Sequence, residues 1–223
     1  MRVSFVIPFK GNELDLIQLI KRNKEMLTEN HELVIVFDAK SDLKEIERKN
    51  LKVKKNINVG IYEAMNKGIQ IASNEFIFFM GQTDTVYVSE LRDLNLTYDS
   101  DFIEFKFQIG SKIKANNPGK DLIYHHQSII FRKEFLQNHN IQYDENLKIH
   151  SDYELILNTI FSGAKKAKYS NRLCKFERGG ISTTKKNIVR SLSEIYKIQQ
   201  RYKVFGFYKF TKILVRRLSY LIR

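Results

Sequence analysis

Three carboxylates in this chain stand where chemistry is commonly done. Asp38 follows the apolar run Leu33-Val34-Ile35-Val36-Phe37, and Asp84 follows Phe76-Ile77-Phe78-Phe79-Met80 across a Gly81-Gln82-Thr83 turn. Both runs read as strands of a sheet covered on both faces, so both acids fall on its carboxyl edge, where open α/β sheets hold ligands. A carboxylate there accepts hydrogen bonds from a nucleobase or ribose, or holds a divalent cation against a diphosphate. Helix capping or a solvated turn explains such a position equally well. Asp152 opens a helical stretch in His150-Ser151-Asp152-Tyr153-Glu154, and His125-His126-Gln127 precedes the apolar segment Ile129-Ile130-Phe131. A helix-start Asp is usually a cap and paired loop histidines are usually surface residues, so these groups gain chemical meaning only by converging with Asp84 on one cleft.

Gly60 and Gly68 bracket Ile61-Tyr62-Glu63-Ala64-Met65-Asn66-Lys67. The pattern is neither a phosphate-cradling Gly-Lys-Ser/Thr loop nor a dinucleotide-binding Gly-x-Gly-x-x-Gly. A diphosphate bound here must be neutralised by something else, and a metal on Asp84, helped by Lys67, Lys10 or Arg178, is the leading candidate.

The elements that must position these residues follow from periodicity. Val3 to Pro8 reads as a strand, Leu14 to Met26 as a helix, and Leu33 to Phe37 as a second strand. Ser41 suits the N-cap of a short helix through Lys49, with a third, poorly buried strand from Leu51 to Lys55. Ile61, Met65, Ile69 and Ala72 recur at helical spacing ahead of the strand Phe76 to Met80, which makes a Rossmann-like α/β order. Beyond Asp84, Phe102 to Phe107 and Gln108 to Ile113 suggest a hairpin, residues 116–120 a loop, and Asp152 a helix that Gly163 closes.

A chain of 223 residues with 43% hydrophobic content buries one sizeable core and is short of two ordinary domains. The composition breaks near residue 183. Residues 1–183 are expected to form one domain, with halves over 1–100 and 101–183, and residues 184–223 a basic helical tail. Residues 185–223 hold eleven Lys and Arg against Glu194 alone, which accounts for most of the net charge of +13. Cys174 is the single cysteine, so an internal disulfide is excluded and a reducing cytosolic setting fits. The apolar start of the chain stops at Pro8, unlike a signal peptide, and no run approaches the roughly 20 apolar residues of a membrane span.

Taken together, Phe5-Val6-Ile7-Pro8, Asp38, Gly60 to Gly68, Gly81-Gln82-Thr83-Asp84, His126-Gln127, Tyr143-Asp144-Glu145, Asp152-Tyr153 and Gly179-Gly180-Ile181-Ser182 resemble a family 2 glycosyltransferase of the GT-A fold. The resemblance runs in the family's order from residue 3 to about residue 183 and is nearest to small bacterial enzymes of O-antigen and other surface polysaccharides. It implies a Rossmann-like, mixed but mainly parallel sheet flanked by helices, with a basic amphipathic helical extension. It also implies metal-dependent, inverting transfer of a sugar from a nucleotide-sugar, UDP-linked by expectation, to a saccharide on a polyprenyl diphosphate carrier. Pro8, Phe9, Asp38, Gly60, Tyr62, Asn66, Lys67, Gln82 and Thr83 are implied to bind the nucleotide. Asp84 is implied to hold Mn2+ or Mg2+, Asp152 to be the general base, and His126, Gln127, Arg178 and Gly180 to lie near donor and acceptor.

The sequence departs from the family pattern at Thr83, where a first metal-motif acid is usual, at Asn58 and Glu63, and at His150-Ser151 before the base. In the tail, aromatic and aliphatic residues interleave with Lys and Arg, the character of a helix lying on an anionic leaflet. That predicts a peripheral protein on the cytoplasmic face of the cell membrane. The competing reading packs the tail on the domain with its charges solvated, and the two readings can hold for different halves. A pI near 9.6 also admits a nucleic-acid-binding protein, although this leaves Asp38, Asp84 and Asp152 without a purpose, so no nucleic acid is expected. A third alternative is a homologue that binds nucleotide-sugar without catalysing.

Overall fold

The computed structural model describes residues 1–28, 30–38, 40–56, 60–91, 99–116, 125–176 and 185–204. Strand β1 (Val3–Phe9) is followed by helix α1 (Glu13–Arg22), β2 (His31–Phe37), β3 (Ile46–Arg48) and β4 (Leu51–Lys55). Next come α2 (Ile61–Ile71), β5 (Phe76–Phe79), β6 (Thr85–Val86), β7 (Phe102–Ile109) and β8 (Lys112–Lys114). The remainder is β9 (Ile129–Arg132), α3 (Lys133–Asn138), α4 (Ser151–Phe161), β10 (Lys166–Phe176) and α5 (Ile188–Arg201). Among the described residues the strands join one sheet in the order β3-β4-β2-β1-β5-β9-β7-β10-β6, with β8 paired to β7.

Strands β4, β2, β1 and β5 run parallel, and β9 is inserted antiparallel between β5 and β7. Because side chains alternate across a strand, β1 feeds two cores. Val3, Phe5, Ile7 and Phe9 meet Leu16 and Leu19 of α1 on one face, while Val6 meets Met65 and Ile69 of α2 on the other. Gly68 lets α2 lie close on β1, since a Cβ there would overlap Val6 Cγ1. Helix α1 starts in a capping box, with the Asn12 side chain accepting from Asp15 N–H and the Asp15 carboxylate from Asn12 N–H.

The structure corrects several expectations. Residues 46–48 form β3 rather than a helix begun at Ser41, because β3 pairs antiparallel with β4, and Lys54 of β4 meets Glu47 of β3 at 2.6 Å and the preceding Glu45 at 3.5 Å. Helix α1 stops at Arg22, and Lys24–Met26 is a separate 3-10 turn. The hairpin turns at Gly110, whose φ of 58° is left-handed, so β7 runs through Gln108 to Ile109. Strand β10 and helix α3 were not expected. Most of β10, Lys-Ala-Lys-Tyr-Ser-Asn-Arg, is too polar to announce itself, and its pairing with β7 makes it a strand.

Of the basic tail, α5 packs on α4: Ile198, Tyr202 and Val204 close a small core with Leu147, Tyr153 and Leu157. For that half the packed reading holds, and residues 205–223 lie outside the described residues. No helix among the described residues is long and apolar enough to cross a membrane.

Candidate active site

Parallel pairing of β1 with both β2 and β5 brings Pro8, Asp38 and Asp84 to one edge. Gln82 latches two of these loops together, its Oε1 accepting from Lys10 N–H at 3.0 Å and its Nε2 donating to Lys10 O at 3.1 Å. Arg22, the last residue of α1, donates to the Gln82 carbonyl. Asp84 folds back so that Gly81 N–H donates to its Oδ2 at 2.7 Å, and only 5% of the residue is exposed. Burial pushes the Asp84 carboxyl above its ordinary pKa, opposed by the Gly81 N–H, His126 and Arg22. Asp38 is half-buried, and its Oδ1 accepts from Lys40 N–H at 2.9 Å.

His126 joins this edge to α4. Its Nδ1 lies 3.0 Å from Asp152 Oδ2, and its charge also acts on Asp84. Burial alone would raise the Asp152 carboxyl, but the hydrogen bond and charge of His126, with His150 and the Tyr153 N–H, hold it below the ordinary carboxylate range. His126 thus pairs with Asp152 and lies within electrostatic reach of Asp84, and the Asp152 carboxyl is held low with a fifth of its side chain open. Such a carboxylate can take a proton from an attacking hydroxyl.

The N-terminus of α4 is held from outside. It has no side-chain N-cap. Glu194 Oε1 accepts from Lys148 N–H and Oε2 from Ile149 and His150 N–H, each at 3.0 Å. The Ser151 and Asp152 N–H groups face the Tyr62 hydroxyl, and Asp152 Oδ1 accepts from Tyr153 N–H at 2.8 Å. Every N–H from Lys148 to Tyr153 therefore has a partner, as the unpaired end of a helix requires.

Several residues expected at the nucleotide make contacts within the fold. Tyr62 is buried, stacks on Tyr143 at 5.4 Å, and serves the α4 terminus. Burial and the nearby Asp152 charge push its hydroxyl far above the usual pKa. Asn66, 6% exposed, grips the backbone of Tyr143, accepting from its N–H at 2.8 Å and donating to its O at 2.9 Å, with a further bond to Glu145 Oε1 at 3.0 Å. Phe9 lies in the core, 4% exposed, and the Gln82 amide is spent on the latch. Gly60 is the N-cap residue of α2, Lys67 is half-buried on that helix, and Thr83 is exposed on the turn. Gln127 sits beside His126, and its carbonyl accepts from the Cys174 thiol. Arg178 and Gly180 lie outside the described residues.

Sequence reading missed Arg22, Glu194 and the latching role of Gln82. Arg22 had a signal, since a cation ending α1 suits the helix dipole, but nothing local aims it at residue 82. Glu194 was visible only as the lone acid of a basic stretch.

A mixed, mainly parallel sheet flanked by helices, with acids on the carboxyl edge, defines the GT-A class of fold. The chain belongs to glycosyl transferase family 2, which matches residues 4–157. The minor teichoic acid biosynthesis protein GgaB of Bacillus subtilis (strain 168) is 26% identical over 221 residues, 82% of this chain and 24% of that protein. The chain thus spans about a quarter of that relative's length. TarS 1-349 of S. aureus in complex with UDP-GlcNAc superposes with a TM-score of 0.67 at 17% identity, covering 99% of this chain and 72% of TarS 1-349. The mannosyltransferase PcManGT of Pyrobaculum calidifontis, in complex with GDP-Man and Mn2+, gives 0.58 at 11% identity, covering 99% of this chain and 69% of that one.

Proposed function

We propose that this chain transfers a sugar from a nucleoside diphosphate donor to an acceptor hydroxyl, inverting the anomeric centre with the help of Mn2+ or Mg2+. The reading is carried by the convergence of Asp84, His126 and Asp152 at the edge that also holds Asp38. Asp152 takes the acceptor proton as the hydroxyl oxygen bonds to the anomeric carbon. The bond from that carbon to the phosphate oxygen breaks on the opposite side, and its electron pair leaves with the diphosphate. His126 keeps Asp152 ionised for this step.

Among the described residues no group of three or more His, Cys, Asp or Glu side chains could hold a metal. Asp84 would be the one side chain of this edge to hold such a cation, whose remaining ligands would come from the donor's diphosphate and water, as is common for Mg2+. When bound, the cation neutralises charge on the leaving group. Arg22 and Lys67 add positive charge from the protein side, and Asp38 binds the base.

A UDP-linked donor is supported by the UDP-GlcNAc complex of TarS, and a cell-surface polymer as acceptor by the teichoic acid assignment of GgaB. A lipid-linked acceptor at the cytoplasmic membrane face would suit the basic, aromatic sequence of 205–223, with residues 1–183 as the transferase domain. The test is turnover of UDP-sugars with Mn2+ by Asp152→Asn. Loss of a general base costs about 10²–10⁴-fold in rate, with nucleotide binding retained. Turnover within a few-fold of wild type would remove Asp152 from the mechanism.

A further inference from the structure

We propose that α5 is a positioning element for Asp152, with Glu194 as its central residue, so that sequence beyond the family match at 4–157 belongs to the working active site. This rests on the reading of Asp152 as the base. Glu194 is the only acid between residues 185 and 223, yet it is 7% exposed. Its carboxylate takes three consecutive backbone N–H groups, those of Lys148, Ile149 and His150, each at 3.0 Å. Those groups immediately precede α4, and Asp152 follows two residues after the last.

Two further residues of α5 reach the same region. Ser191 Oγ lies 2.7 Å from His150 Nε2, and Arg201 pairs with Glu154 and, at 3.7 Å, with Asp144. The apolar side of α5 packs on Leu147, Tyr153 and Leu157, flanking Asp152 on both sides in sequence. A carboxylate accepting three N–H groups is strongly ordered, and it places negative charge at the positive end of the α4 dipole. The position of the Asp152 carboxylate relative to His126 therefore depends on α5. Misplacing a catalytic group by about 1 Å can cost on the order of 10²-fold in rate.

Glu194→Gln puts an NH2 group where an oxygen accepts N–H bonds, with little change in volume. The full chain is assayed for turnover of UDP-N-acetylglucosamine, UDP-glucose and GDP-mannose, with UDP-binding sites counted by titration. We expect kcat per binding site to fall about 10- to 100-fold, with KM for the donor within about two-fold, since the donor edge lies on β1, β2 and β5. A purely structural role would lower the number of sites and leave kcat per site unchanged, and that result overturns the proposal. Should Glu194→Gln bind no UDP, Ser191→Ala, which removes only the His150 contact, is expected to lower kcat a few-fold with sites intact; unchanged kcat overturns the proposal. Amide exchange is independent of donor identity: faster exchange over residues 148–152 in Glu194→Gln supports the anchor, and unchanged exchange refutes it. Full activity of Asp152→Asn would defeat the base assignment itself, whereas an inactive Asp152→Asn beside an unaffected Glu194→Gln defeats only the positioning role.

Discussion

Replacing Asn66 with alanine separates a nucleotide contact from a structural clamp. The Asn66 amide makes three hydrogen bonds, two of them to the Tyr143 backbone across 77 residues of chain. Alanine leaves the N–H and C=O of Tyr143 without these partners in a site where Tyr143 is 1% exposed. An unsatisfied buried polar group costs about 1–3 kcal/mol, so two cost roughly 2–6, reduced because the amide no longer has to be desolvated. About 2–4 kcal/mol is the expected loss. For a chain of this size each kcal/mol moves Tm by about 2–4 °C, so Tm should fall by roughly 5–15 °C. Urea unfolding followed by far-UV circular dichroism and by tyrosine fluorescence measures the loss, and UDP titration of the folded protein measures binding. Asn66→Asp should be at least as damaging, since it loses the donor to Tyr143 and sets a second carboxylate beside Glu145. A variant with stability within about 0.5 kcal/mol of wild type but weakened UDP binding would refute the clamp and restore Asn66 to the nucleotide.

Two further outcomes follow from the carboxylates. Burial raises the Asp84 pKa, so its ionised form costs the fold stability at neutral pH, and the cost disappears as pH falls through that raised pKa. Asp84→Asn should therefore melt higher than wild type at pH 7 while losing Mn2+-dependent UDP binding; a lower Tm at pH 7 contradicts the burial account. Against burial, His126 holds Asp152 below the ordinary range, so the stability this gives is present above the unfolded-state pKa and lost as pH falls through the folded one. His126→Ala should move the acid limb of the kcat profile to higher pH, and an unmoved limb would show that His126 does not govern the base.

The strands at 3–9, 31–37 and 76–79 and the helix over 61–71 were legible because their signals are local: continuous apolar runs and a 3.6-residue period. The same signals set Asp38 and Asp84 at strand ends. What they could not supply is pairing. Residues 46–48, Ile-Glu-Arg, suit a helix equally well, and β4 decides that they extend the sheet edge. Strand β10 exists because β7 offers its hydrogen-bonding edge. The sequence by itself determined which residue types the site contains and on which edge two of its acids fall. Tertiary structure decided the rest, turning Asn66, Tyr62 and Gln82 inward as latches, pairing His126 with Asp152, and bringing Glu194 to the α4 terminus. These hydrogen bonds join groups 26 to 90 residues apart, and only the assembled sheet and helices fix such distances.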